Sequence, residues 1–158
     1  MLSYSPTLGT LLRHLLDHLD REVEASYQAA GLDWRPRYTP VLRFLMREGG
    51  QSIKAIAAEV GVSQSAVSQT VTQMVKDDLV MLKPGDDARE RIVILTDKTE
   101  QMIPRLQRQW AAVNLAAATL DRELSAPLSG VVQEAIAALT DKPFGQRIQA
   151  AAKTQSVP

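Results

Sequence analysis

A chain of 158 residues, 45% of them apolar, is long enough for one domain with a real core or two small lobes, and too apolar to stay disordered. Eighteen basic residues balance eighteen acidic ones, so a strongly basic nucleic-acid binder acting through bulk charge is excluded, while a local basic patch is not. Aromatic residues are only 4%, which argues against base stacking, and the absence of cysteine removes disulfides, thiolate zinc sites and thiol redox sensing. The start, MLSYSPTLGTLLRHLLDHLDRE, lacks the basic opening and cleavage site of a signal peptide. No apolar run approaches the roughly 20 residues of a membrane span. The expectation is a soluble, cytoplasmic chain with no membrane partner.

Leu8, Leu11, Leu12, Leu15, Leu16, Leu19 and Val23 recur at helical spacing and predict a Leu-rich helix over about 7–29, stopped by Gly31. The connector LDWRPRY is stiffened by Pro36. Thr39 then fits an N-cap, with Pro40 at the first helical position of VLRFLMRE, which ends at Gly49-Gly50. Ser52 caps IKAIAAEV, Gly61 ends it, and Ser63 caps a helix running to about Lys76. Asp77 or Asp78 takes the turn that follows. LVMLK and RIVIL, joined by the turn residues PGDDA, form one β-hairpin, the only strand signal in the chain. Thr96 caps a long helix containing Pro104, Ser125 and Pro127 open another, and FGQRIQAAAK adds a final turn or two.

The expected fold class is therefore mainly α with one β-hairpin. Residues 39–96 form a winged helix-turn-helix core. Residues 1–38 and 97–158 are expected to form a helical dimerisation layer, because a helix that is Leu-rich over a wide arc needs a partner; a second copy is the reading preferred to a purely intramolecular helical layer.

Ala57, Gly61 and Val67 carry the helix-turn-helix signal. A small residue lets two helices cross, glycine allows the sharp turn, and a β-branched residue fills the angle between them. In the second helix Val67, Val71, Met74 and Val75 fall on one side. Ser65, Ser68, Gln69, Thr72, Gln73 and Lys76 fall on the other. An ordinary solvated face carries Lys, Glu and Arg, which favour helix; Ser and Thr do not. Short hydroxyls and amides instead let a helix lie deep in a major groove and offer donors and acceptors to base edges and phosphates. Ser63 and Gln64 open the same surface.

The stretch SIKAIAAEVGVSQSAVSQTVTQMVKDDLVMLKPGDDARERIVILT resembles the winged helix-turn-helix core of MarR-type transcriptional regulators, over about residues 39–100. LDWRPRYTPVLRFL resembles a branch in which some members carry an appended acetyltransferase domain; this chain ends at Pro158, so none is expected here. The resemblance implies a homodimer on a pseudo-palindromic double-stranded DNA site, with the helix from Ser63 in the major groove and the wing at the minor groove. It also implies a ligand-responsive repressor. Of the doubled Asp-x-Arg wing pattern only Asp87-Ala88-Arg89 is intact. Arg89 is therefore the candidate minor-groove side chain, Arg91 its substitute, and Asp87 orients the wing through an ion pair. Asp78 stands where the family usually has glycine.

From Thr39 to Thr96 seven basic residues (Arg43, Arg47, Lys54, Lys76, Lys83, Arg89, Arg91) meet seven acidic ones (Glu48, Glu59, Asp77, Asp78, Asp86, Asp87, Glu90). Weak non-specific and salt-sensitive specific binding follow. Lys54 is a candidate phosphate contact, and Arg35 and Arg37 are read as solvated or paired with acidic residues of the first helix. Neutral local charge and the reduced wing also fit an alternative, a winged-helix protein-interaction module that has lost DNA binding. His14 and His18, four apart, lack a third ligand at matched spacing, so no metal site and no cofactor are expected. Trp34, Tyr38 and Trp110 are candidates to line a pocket for a small aromatic effector, against the simpler reading of core packing. No nucleophile elbow or phosphate loop is present, and no enzyme is expected.

Overall fold

The computed structural model describes residues 5–87 and 89–155. Helix α1 (Leu8–Ala29) begins where Thr7 accepts a 3.3 Å hydrogen bond from the Thr10 amide. Most of its leucine stripe is solvent-facing; Tyr27, near its end, is buried. A 3-10 turn, Pro36–Tyr38, leads straight into α2 (Thr39–Glu48). Thr39 is thus the first helical residue and not the expected cap, because the turn starts the helical backbone earlier. Its hydroxyl is free to accept a 3.1 Å bond from the Trp34 indole instead.

After α2 the chain forms β1 (Gln51–Ser52), a strand the sequence reading missed. Two residues are too short to show an alternating pattern. Gly50 brings the backbone so close to the sheet that a Cβ would stand 2.8 Å from Ile94 and 2.9 Å from Ile92. Helices α3 (Ile53–Val60) and α4 (Gln64–Lys76) follow, capped by the Ser52 and Ser63 hydroxyls, each accepting from the amide three residues on at 3.1 Å. The hairpin is β2 (Val80–Pro84) and β3 (Arg91–Leu95), in the register Met81↔Ile94 and Leu82↔Val93. With β1 paired antiparallel to β3, the sheet has three strands in the order β1-β3-β2, where a lone hairpin was expected.

Helix α5 (Asp97–Glu123) starts at Thr96, whose hydroxyl accepts from the Thr99 amide at 3.3 Å. Thr99 is itself fully buried and donates its hydroxyl to the Leu79 carbonyl at 2.7 Å, locking the helix start to the head of β2. The chain then continues through α6 (Leu128–Asp141) and α7 (Phe144–Gln155).

Two compact units divide the chain, Met1–Gln109 and Trp110–Pro158. In the first, Leu42, Leu45, Ile56, Val67, Val71, Met74, Leu79, Val93 and Leu106 are buried together with Trp34 and Tyr38. This core fixes α3 and α4 against the sheet. In the second unit, Asp121 accepts the Ser129 amide at 3.1 Å and so caps α6. Ser125 had been expected to open that helix. Pro127 occupies the N-cap position and has no acceptor side chain, so the carboxylate comes from the preceding helix. Hydrogen bonds to Ser129 hold the Asp121 carboxyl below the usual range. Helix α7 is longer than the expected turn or two. Arg147 supports it by donating to the Ala138 and Lys142 carbonyls at the end of α6. Residues 156–158, part of the chain's last stretch, lie outside the described residues.

Candidate nucleic-acid interface

The turn between α3 and α4 is built from the three residues that signalled it. Ala57 and Val67 are buried, and Gly61 adopts φ 74°, ψ 28°, the left-handed conformation that favours glycine. The Gly61 amide donates to the Ala57 carbonyl at 2.9 Å, closing α3. Ser63 then restarts the helix at once.

Helix α4 is buried through Val67, Val71 and Met74. Ser65, Gln69, Thr72 and Lys76 are exposed on the opposite side, with Ser63 and Gln64 exposed at the start. Ser68 is half-buried at the margin. Two expected placements change. Val75 is exposed, because a step of 100° per residue puts it about 80° from Val67, at the rim of the buried stripe. Gln73 is half-buried, and its amide nitrogen donates to Asp77 Oδ1 at 2.9 Å. The bond ties Gln73 to the end of its own helix, one turn on.

At the wing, Gly85 donates to the Glu90 carbonyl and Glu90 to the Asp87 carbonyl, both at 2.9 Å. Asp87 Oδ1 accepts the Arg89 amide at 3.0 Å. Asp87 thus shapes the tip through a backbone contact, where an ion pair was expected; among the described residues it is in no ion pair. A carboxylate two residues before an amide closes this turn locally and needs no cation. Arg89 and Arg91 are exposed, Arg91 opposite Pro84 in the hairpin register. Ala88, the centre of the wing motif, lies outside the described residues.

The neutral charge count is redistributed by the fold. Arg47 contacts Glu48 at 2.6 Å and Glu59 at 2.7 Å while stacking on Phe44. One cation therefore covers two of the seven acidic residues. Among the described residues Lys54, Lys76, Arg89 and Arg91 are exposed and in no ion pair.

Asp77, read from sequence only as a charge, is a junction. Its Oδ2 accepts the Tyr38 hydroxyl at 2.8 Å, its Oδ1 accepts Gln73, and its carbonyl accepts Lys98 at 2.7 Å. Burial alone would raise its pKa. The bonds from Tyr38 and Gln73, with the charges of Arg35 and Lys98, outweigh that and hold it below the usual carboxylate range. Tyr38 moves the other way, raised first by burial and then by its bond to Asp77. Arg37 lies over the Tyr38 ring, 5.7 Å from its centre. Arg35 and Arg37 thus serve this junction. No spacing rule flags a tyrosine and an aspartate so far apart in the chain.

Trp34 and Tyr38 pack edge to face, their centres 5.5 Å apart, both buried in the core. Neither offers more than about 1% of its surface to solvent. Trp110 is half-buried at the start of the second unit. A cleft of about 400 Å³ opens elsewhere in the first unit, lined by Gly31, Leu32, Asp33, Lys98, Gln101, Met102 and Arg105. Arg105 donates from the cleft wall to the carbonyls of Ala30 and Gly31. Among the described residues, no group of three or more potential metal ligands occurs, and no helix is long and apolar enough to cross a membrane.

Residues 31–90 match the model of the MarR family. No curated protein matches the chain. The structure is similar to that of the M. tuberculosis transcriptional regulator MOSR in complex with DNA, with a TM-score of 0.68 and 20% identity over 92% of this chain and 98% of that one. It is similar to the PcaV transcriptional regulator of Streptomyces coelicolor in complex with its natural ligand, with a TM-score of 0.62 and 21% identity over 87% and 97% of the two chains. It is also similar to the transcriptional repressor CouR bound to a 23-mer DNA duplex, with a TM-score of 0.63 and 18% identity over 85% and 92%. At these identities the likeness is one of fold. Capped helices around Gly61 and a three-stranded sheet with its hairpin make this segment a winged helix-turn-helix, and residues 31–90 of it are similar to the MarR family.

Proposed function

We propose that the protein is a sequence-specific double-stranded-DNA-binding transcriptional regulator, acting as a homodimeric repressor in the cytoplasm on a pseudo-palindromic site. The observation that carries this reading is the outer face of α4. Its exposed positions are Ser65, Gln69 and Thr72, short uncharged side chains on a helix whose other face is anchored in the core. Such a face approaches base edges without a charged stem holding it off. Ser63, Gln64, Ser68 and Gln73 frame it, Lys76 and Lys54 supply phosphate contacts, and Arg89 with Arg91 serves the minor groove from the wing that Asp87 shapes. DNA-bound structures among the similar folds support the reading.

The homodimer rests on exposed apolar side chains. Leu8, Leu11, Leu12, Leu16 and Leu19 are exposed on α1, and Val131, Ile136, Phe144 and Ile148 on α6 and α7. Faces of this kind are costly in water and are covered by a second copy in this reading. Response to a small aromatic effector is supported by the cleft beside Gly31 and Met102 better than by Trp34 and Tyr38, which are packed away. In this reading the chain acts by binding.

Selection from a randomised duplex pool at low salt tests the proposal. Enrichment of a sequence with two-fold symmetry is expected, with affinity falling steeply as salt rises. A pool that stays random, together with a flat salt dependence, favours the protein-interaction module instead.

A further inference from the structure

The chain has two histidines and no cysteine, so its entire complement of imidazole and thiolate metal ligands is His14 and His18. Both are exposed on α1, one turn apart. Their Nε2 atoms face each other at 3.2 Å, with ring centres 4.7 Å apart. Two nitrogens bound to one Zn²⁺ at about 2.0–2.1 Å and near the tetrahedral angle stand about 3.3–3.4 Å apart. The pair is therefore already spaced to grip one ion from two sides, through the nitrogens that point away from each ring's own backbone.

We propose that His14 and His18 form a two-point chelating site on α1 for a late first-row divalent cation. The residues around them suit a cation. On α1, Asp17, Asp20, Glu22 and Glu24 outnumber Arg13 and Arg21, and helical spacing places Glu22 one turn beyond His18 on the same side. Among the described residues no third ligand completes the set, so water fills the remaining positions and the site exchanges its ion readily. By the same spacing His18 lies nearly in line with Leu11, at the margin of the leucine stripe. A bound ion bridges two turns of α1 at that margin. This inference is independent of the DNA reading.

Titration calorimetry on the full chain with ZnCl₂, NiCl₂ or CuCl₂, each alone, tests it. One ion per chain is expected, copper binding tightest. H14Q and H18Q, both surface changes to a good helix former, should each weaken binding by about tenfold or more, since the second imidazole no longer acts within the same molecule. With Zn²⁺ the two imidazole signals in the proton spectrum should move together in the wild type. Untagged wild type should be held on nickel resin and both variants released. Equal isotherms in wild type and variants, or no heat and no spectral change at a large excess of zinc, would overturn the site.

Discussion

The hydroxyl of Tyr38 donates a 2.8 Å hydrogen bond to Asp77 Oδ2, joining residues 39 positions apart. One end of that bond is the buried turn before α2. The other is the residue that terminates α4. The helix proposed to read DNA is therefore anchored at its C-terminus to the connector that follows α1, with Lys98 of α5 on the same residue's carbonyl.

Tyr38→Phe removes this donor and little else. A loss of about 1 kcal/mol is expected, the lower end for a charge-assisted bond because Asp77 is partly in water. Urea midpoints at several pH values check it. Asp77 has a depressed folded pKa, so its contribution is full above the unfolded value of about 4 and lost as pH falls through the folded value. The gap between wild type and Tyr38→Phe should narrow on that acid limb. Tyr38 has a raised folded pKa, so its contribution is full below about 10 and lost as pH rises through the folded value. A gap that stays constant across the acid limb would remove Asp77 as the partner that matters.

Asp78 sits at φ 57°, in the left-handed region, two residues before β2. A β-branched side chain is strained there, so Asp78→Val should cost about 1–2 kcal/mol in thermal or urea unfolding. Asp78→Gly should keep or raise the midpoint, since relief of strain offsets the greater freedom of the unfolded chain. If Val and Gly behave alike, backbone conformation is not what this position requires.

Leu106 is fully buried although α5 continues into the second unit. Leu106→Ala should destabilise the first unit by about 2–5 kcal/mol, the range for a leucine cavity in a packed core. Chemical denaturation followed by Trp34 fluorescence in a Trp110→Phe background reads it, and a cost below about 1 kcal/mol would mean that the start of α5 is not part of that core.

On the proposed interface, Lys76→Ala should weaken all duplexes alike and lower the salt slope by about 1. Gln69→Ala should change sequence preference more than salt slope, and Arg89→Ala should weaken binding while leaving the dimer intact. Binding isotherms on selected and scrambled duplexes across a salt series separate the three.

The sequence by itself determined the local chemistry. Ser52, Gly61 and Ser63 set the caps and turn of the helix-turn-helix, and Val67, Val71 and Met74 set which side of α4 is buried. These features are legible because each depends on residues within about two helical turns. Only the tertiary structure decided the rest. The two-residue strand at Gln51–Ser52 exists because β3 is there to pair with it. Arg47 covered Glu59 from another helix. The same holds for Tyr38 on Asp77. Such contacts join residues distant in sequence through shapes that only packing brings together, and no period or spacing along the chain encodes them.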